Sequence, residues 1–159
     1  MLTYRKATEA DMLLYFEWAN DEEVRKQSYQ TDKINMDQHQ EWFNKKTSDN
    51  DCLMLVFENE DKFPVGQTRF QKENVEVYVI GISLAKEFRG KGLAAEILQM
   101  SSDHFLKLYP GKTINAYIKE DNAGSIKAFV KAGFVFAEKL VIEGKESVLY
   151  IKLKADENS

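Results

Sequence analysis

Two spacings of apolar residues divide the chain into a helical N-terminal part and a strand-rich remainder. Tyr4 to Thr8 reads as a first strand. A helix over Ala10 to Ala19 follows, with Thr8 as its N-cap and Met12, Leu13 and Phe16 as core positions. Asn20 ahead of Asp21-Glu22-Glu23 supplies an N-cap and an acidic first turn for a short second helix. A third helix starts near Met36: Asn35 and Gln38 have capping-box spacing, and His39, Trp42 and Phe43 fall on one face. From Cys52 the pattern shortens. Cys52 to Glu58 is an apolar run suited to a buried strand, Val65 to Gln71 is a second strand, and Glu76 to Leu84 is a third with Tyr78, Ile80, Ile82 and Leu84 on one face. Leu93 to Lys107 returns to helical spacing, with Ala94, Ile97, Leu98, Ser101 and Phe105 as the apolar stripe. Thr113 to Ile118 is a strand and Ala123 to Ala132 a helix. Phe134 to Ile142 and Ser147 to Leu153 form a hairpin around Glu143-Gly144-Lys145. The order predicts an α/β fold: a mixed, mainly antiparallel sheet flanked by helices, with one central β-α-β unit.

With 159 residues, the chain is sized for one domain, placed at 1–154, with a polar tail at 155–159 that frays. Hydrophobic residues make up 43% and charged ones 30%, the balance of a globular protein. No apolar run reaches the ~18 residues of a membrane span, and the first residues lack a signal-peptide pattern. A net charge of −4 argues against a nucleic-acid partner. Cys52 is the one cysteine, so the expected location is the reducing cytoplasm. With His39 and His104 the only histidines, no metal site is expected.

The sharpest feature is Arg89-Gly90-Lys91-Gly92-Leu93-Ala94, set between a strand and a helix. Glycines let the backbone turn tightly against a ligand. The helix start offers unpaired N–H groups and a positive dipole end, and two cations add charge. These are the components of a pyrophosphate site; the alternative is a solvated glycine turn. A Walker A loop requires G-x-x-x-x-G-K-[ST], which is absent. Gly90, Gly92 and Ala95 match the dinucleotide pattern G-x-G-x-x-G/A, but the acidic residue about 20 positions on is missing. A coenzyme A loop is the third possibility.

The stretch from Gly81 to Ala94 resembles the acetyl-CoA motif of the GNAT superfamily of N-acyltransferases, whose pattern Arg/Gln-x-x-Gly-x-Gly/Ala is met by Arg89, Gly92 and Ala94. Downstream, Asn122-x-x-Ser125-Ile126, Phe129 and Lys131-Ala132-Gly133-Phe134 are similar to a second family block. The resemblance implies acetyl-CoA as co-substrate. It implies that the backbone of Ile82, Ser83 and Leu84 pairs with the pantetheine arm. The N–H groups of Arg89, Gly90, Lys91, Gly92, Leu93 and Ala94 would hold the pyrophosphate, and Asn122 and Ser125 would face the thiol end. It also implies a bulge in the strand before the loop, for which Gly81 is the expected place.

Transfer requires a free amine beside the thioester and a stabilised oxyanion. The expected oxyanion donor is the N–H of Leu84. Two residues depart from the family. Phe129 stands where many members carry a tyrosine that protonates the leaving thiolate, which makes Ser125 the candidate acid, as in members similar to ribosomal-protein N-terminal acetyltransferases. Val79 stands where many carry a glutamate base, leaving Tyr117 and Glu76 as alternatives for proton handling.

The N-terminal part is expected to build the acceptor pocket. Trp18, Asn20, Arg25, His39 and Trp42 resemble a GNAT branch of sugar-nucleotide N-acetyltransferases, and Tyr117 completes the substrate set. Indoles with a histidine and an arginine suit a sugar on a diphosphate. Each also has a bland reading: Trp18 and Trp42 as core, His39 as partner of a backbone carbonyl, Arg25 as a solvated charge. The expected partner is a small-molecule amine, preferably an amino sugar nucleotide, with a protein N-terminus or metabolite amine second. A non-catalytic acyl-CoA-binding module is the reading from another class. The expected assembly is a monomer or homodimer.

Overall fold

The computed structural model describes residues 1–153; the tail predicted at 155–159 lies outside the described residues. Strand β1 (Thr3–Lys6) leads through a 3₁₀ turn (Glu9–Asp11) into α1 (Met12–Ala19), α2 (Glu22–Gln27) and α3 (Met36–Thr47). Then come β2 (Cys52–Glu58), β3 (Pro64–Lys72), β4 (Val77–Leu84), α4 (Leu93–Leu108), β5 (Thr113–Lys119), α5 (Ala123–Lys131), β6 (Val135–Ile142) and β7 (Lys145–Leu153). This order is the predicted one. The seven strands form one sheet, β1-β2-β3-β4-β5-β7-β6, in which only β4 and β5 run parallel.

Alternation along the strands sorts their side chains onto two faces. One face carries Leu53, Leu55, Phe57, Phe70, Tyr78 and Ile80 against Ile97, Leu98 and Phe105 of α4. Phe70 and Phe105 stack at 4.6 Å. Each such fully buried side chain contributes about 1.5–3 kcal/mol. The opposite face holds Met54 and Val56 against Tyr15 and Trp18 of α1 and Phe43 of α3. The predicted stripe of α4 is buried at Ile97, Leu98, Ser101 and Phe105, whereas Ala94 is half-buried. Leu13, expected in the core, is 58% exposed: α1 turns Tyr15 and Trp18 inward instead.

Local capping follows the side-chain chemistry, with shifts of one residue. Asp11 accepts the Thr8 N–H at 2.8 Å and a two-point contact from Arg5, pinning β1 to the start of α1. Asp21 rather than Asn20 caps α2, accepting from Glu23 N and Val24 N. Asn20 instead clamps residue Ile34, with Nδ2 donating to its carbonyl at 2.9 Å and Oδ1 accepting its N–H at 2.6 Å. Asn35 caps α3 as expected, accepting from Asp37 N and Gln38 N.

The sheet opens where the chemistry was expected, for a different reason. β4 pairs with β5 only at Val77↔Thr113, Tyr78↔Ile114 and Val79↔Asn115. Beyond Val79 the strands part, while β3 and β4 stay in register from Gly66↔Leu84 to Lys72↔Tyr78. Gly81 lies opposite Arg69 in that unbroken ladder, so the expected bulge at Gly81 is absent. The opening comes from divergence of two parallel strands. Gly66 keeps β3 close to this segment: a β-carbon there would lie 2.6 Å from the Ser83 carbonyl. Gly66→Ala is therefore expected to lower stability by about 1–3 kcal/mol, read as an earlier urea midpoint at unchanged m-value; an unshifted midpoint would show that β4 yields freely.

Candidate active site

A cavity of about 1080 Å³ lies between β4, β5, the starts of α4 and α5, and the helices of the N-terminal part. Ala85 N donates to Val65 O at 2.7 Å, toward β3. By alternation, the N–H groups of Ile80, Ile82 and Leu84 face the other way, toward the parting β5. Ile82 and Leu84 therefore present backbone groups to the cavity, as an added strand requires. The Leu84 carbonyl is already taken by Arg89 Nη2 at 3.0 Å, which leaves the Leu84 N–H as the group facing the cleft.

Gly90 and Gly92 both have φ +76°, a conformation that costs a β-carbon about 1–2 kcal/mol. Gly92 is the N-cap of the 16-residue α4, so the first N–H groups of that helix open into the turn. Gly90, Gly92, Leu93 and Ala94 line the cavity. Arg89 lines it too, but its guanidinium is spent on Asp21 at 2.8 Å as well as on Leu84 O, so its side chain braces α2 against β4. Lys91 does not line the cavity; it is exposed, with Nζ 5.7 Å from the Phe88 ring. At this turn it is backbone, not the side-chain charges, that faces the cavity.

Asn122 Oδ1 accepts from Ser125 N at 3.2 Å and caps α5. Among the described residues the Ser125 side chain makes no hydrogen bond, and it lines the cavity. Phe129 is buried, edge-on to Phe134 at 4.9 Å, with no proton to give. Val79 borders the cavity beside Tyr117, whose hydroxyl lies 3.4 Å from Glu73 Oε1. Glu76, named from sequence, lies outside the cavity, and its carbonyl accepts from Thr113 N at 2.8 Å. Glu73 takes its place as the carboxylate next to Tyr117.

Of the expected acceptor residues, Arg25, His39, Trp42 and Tyr117 line the cavity, while Trp18 and Asn20 do not. Trp18 is buried in the α1 core, and Asn20 is spent on Ile34. Arg25 is neither a free substrate ligand nor a solvated charge. It donates from Nε to Ala19 O (2.6 Å), from Nη1 to Gln30 O (2.7 Å) and Asp32 O (3.2 Å), and from Nη2 to Ser28 Oγ (3.2 Å). It thereby shapes a strap, residues 28–34, that Tyr29 ties to β7 through Ser147 Oγ at 2.6 Å. No local pattern in the sequence marks this role, because Arg25 acts on backbone carbonyls spread across the strap. Tyr15, Gln67 and Arg69 also line the cavity and were not foreseen. The signal available was the alternation Gln67-x-Arg69-x-Gln71 on an interior strand, a polar row under a helical layer.

His39 is buried, and its Nε2 lies 3.1 Å from Met12 O, which requires the proton on that nitrogen. Burial lowers its pKa, only partly offset by the Met12 contact. His104 moves the same way, through burial and then Lys107 and Lys6. Both folded values lie below the unfolded one, so the unfolded chain takes up protons first as pH falls. Stability is full above about pH 6.5 and is lost below it. The melting temperature is expected to drop as pH falls from about 6.5 to 5.5, and to drop less in His39→Phe, where of the two histidines only His104 contributes. An equal drop in both proteins would contradict this assignment.

Among the described residues no group of His, Cys, Asp and Glu side chains could hold a metal ion, and no helix is long and apolar enough to cross a membrane.

Residues 1–135 match the acetyltransferase (GNAT) domain family. The chain belongs to that family. The mycothiol acetyltransferase of Corynebacterium glutamicum (strain R) is 31% identical over 70 residues, which cover 44% of this chain and 23% of that protein. The mycothiol acetyltransferase of Corynebacterium efficiens is 34% identical over a stretch with the same coverage. The match thus spans about a quarter of those relatives. Among solved structures, spermidine N-acetyltransferase from Vibrio cholerae in complex with CoA and spermine superposes with a TM-score of 0.87 at 21% identity, covering 96% of this chain and 95% of that one. A dodecameric structure of spermidine N-acetyltransferase from the same organism gives 0.79 at 22%, covering 96% and 93%. At these identities the likeness is one of fold.

Proposed function

We propose that this chain transfers the acetyl group of acetyl-CoA to a primary amine, and that its acceptor is an amino sugar carried on a nucleotide. The observation that carries the transfer reading is the parting of β4 from β5 after Val79, beside the glycine turn that opens α4. Ile82 offers its backbone N–H and carbonyl to the pantetheine arm, and the N–H groups at the start of α4 take the pyrophosphate. The Leu84 N–H faces the thioester oxygen as negative charge builds there. As the amine nitrogen bonds to the carbonyl carbon, the C–S bond breaks and Ser125 gives its proton to the leaving sulfur. A cysteine-like thiol has a pKa near ~8.5, so protonation eases departure. The amine's proton passes to the Tyr117 hydroxyl as that hydroxyl gives its own to Glu73, and Ser125 regains a proton from solvent.

The acceptor reading is supported by an indole and a cation on the N-terminal side of the cavity, Trp42 and Arg69 at 5.1 Å. A second reading, a small polyamine such as the spermidine of the Vibrio cholerae enzymes, is favoured by Glu23 and Glu73 on the cavity wall. A free, half-buried Cys52 suits the cytoplasm, and the expected assembly is a monomer or homodimer.

A thiol-release assay with a UDP-linked amino sugar, a short peptide and spermidine separates the readings. The sugar nucleotide is expected to show the highest kcat/KM. If spermidine leads, the second reading replaces the first. If CoA binds and no amine releases thiol above background, the chain is an acyl-CoA-binding module.

A further inference from the structure

Arg69 differs from the cavity cations whose bonds are fixed within the fold. Arg25 is spent on the strap, Arg89 on Asp21 and Leu84 O, and Lys119 on Lys26 O at 3.0 Å. Among the described residues the Arg69 guanidinium has no ion pair and no hydrogen bond. It stacks over Trp42 at 5.1 Å. It sits deep in the molecule yet is only half-buried, because it lines the cavity. The guanidinium lies beside Gly81, where a β-carbon would be in ordinary contact, 3.7 Å from Arg69 Nη2. Burial holds its pKa below the ordinary arginine value, though arginine stays charged.

Two further cavity residues carry polar atoms that lack partners. The Tyr15 hydroxyl is buried and without a hydrogen bond, and burial pushes its pKa up, so it remains an O–H donor. Gln67 Oε1 is likewise buried and without a partner, while its Nε2 donates to Ser83 Oγ at 2.8 Å. A cation that faces the cavity without a counter-charge favours an anion offered by a ligand. Five N–H donors in a planar fork suit a carboxylate or phosphate.

We propose that Arg69, backed by Trp42 and Tyr15, is a subsite for a compact anionic group borne by the amine acceptor. This rests on the transfer reading above. Leu84 lies three residues beyond Gly81, about 10 Å along the strand, so amine and anion belong to one small molecule. The subsite excludes a polycation from the same position, because the uncompensated guanidinium repels it.

The test uses matched amines that differ only in the anion: glucosamine 6-phosphate against glucosamine, and 4-aminobutyrate against butylamine. Each is titrated calorimetrically with and without CoA and assayed for thiol release. In the parent at least one anionic member is expected to bind roughly tenfold or more tightly than its neutral partner, and the responding pair tells phosphate from carboxylate. Arg69→Gln is expected to bring that ratio near one with CoA affinity unchanged, and Arg69→Lys to keep part of it. The proposal is overturned if the parent shows no anionic preference, or if Arg69→Gln leaves the preference intact. Loss of CoA binding in the parent would instead remove the transfer reading, while the titrations without CoA still decide the subsite.

Discussion

Replacing Gly92 with glutamate is expected to leave the chain folded and to weaken coenzyme A binding at least a hundredfold, roughly. The residue caps α4 with φ +76°, and a β-carbon there meets nothing within 4 Å. The substitution therefore strains the backbone by about 1–2 kcal/mol without a clash. A carboxylate at a helix N-terminus returns about 0.3–1 kcal/mol of that. Against a bound phosphate the sign reverses. At about 5 Å and an effective dielectric of about 20, two like charges repel by about 3 kcal/mol. Gly92→Ala separates strain from charge and is expected to bind much closer to the parent. Equal losses in both variants would mean that backbone conformation alone builds the cradle. Normal affinity in the glutamate variant would remove the pyrophosphate from this turn.

Ser125→Ala is expected to lower kcat by roughly 10²-fold or more while leaving both KM values nearly unchanged. The hydroxyl lines the cavity and holds no intramolecular bond among the described residues, so alanine removes a proton donor and little else. The N-cap is untouched, because Asn122 Oδ1 takes the Ser125 backbone N–H rather than its side chain. Phe129, one helical turn on, cannot substitute. A pH profile strengthens the reading: the defect should shrink at alkaline pH, where the departing thiolate needs no proton. Unchanged turnover in Ser125→Ala would discard the acid role.

The elements that follow short-range chemistry were legible in the sequence. Cys52–Glu58 is an unbroken apolar run and became β2 with the same bounds; Asn35 capped α3; the α4 stripe faced the sheet at Ile97, Leu98 and Phe105. The glycine turn was legible because few backbones place two glycines between a strand and a helix with a basic flank. Its charges were misjudged, since Arg89 is spent on Asp21, a partner 68 positions away that no local pattern reveals. The sheet opening was placed at the right strand for the wrong reason. Pairing register with β5 is a long-range property, and Gly81 sits opposite Arg69 in an unbroken ladder rather than at a bulge. Arg25 and Asn20 were read as substrate ligands because polar residues beside tryptophans suit a sugar. Their carbonyl partners in the strap exist only after folding. Arg69 was overlooked because its strand, read alone, is an ordinary alternating one; what makes it unusual is the layer of α1 and α3 above it.

The proposed transfer requires that the opened strand and the α4 turn hold an acyl carrier by its pantetheine and its phosphates. Isothermal titration of the folded chain with coenzyme A tests it most directly. Saturable one-to-one binding is expected, abolished in Gly92→Glu and not reproduced by a nicotinamide dinucleotide. Absence of heat with coenzyme A, or binding indifferent to the glutamate, would contradict it.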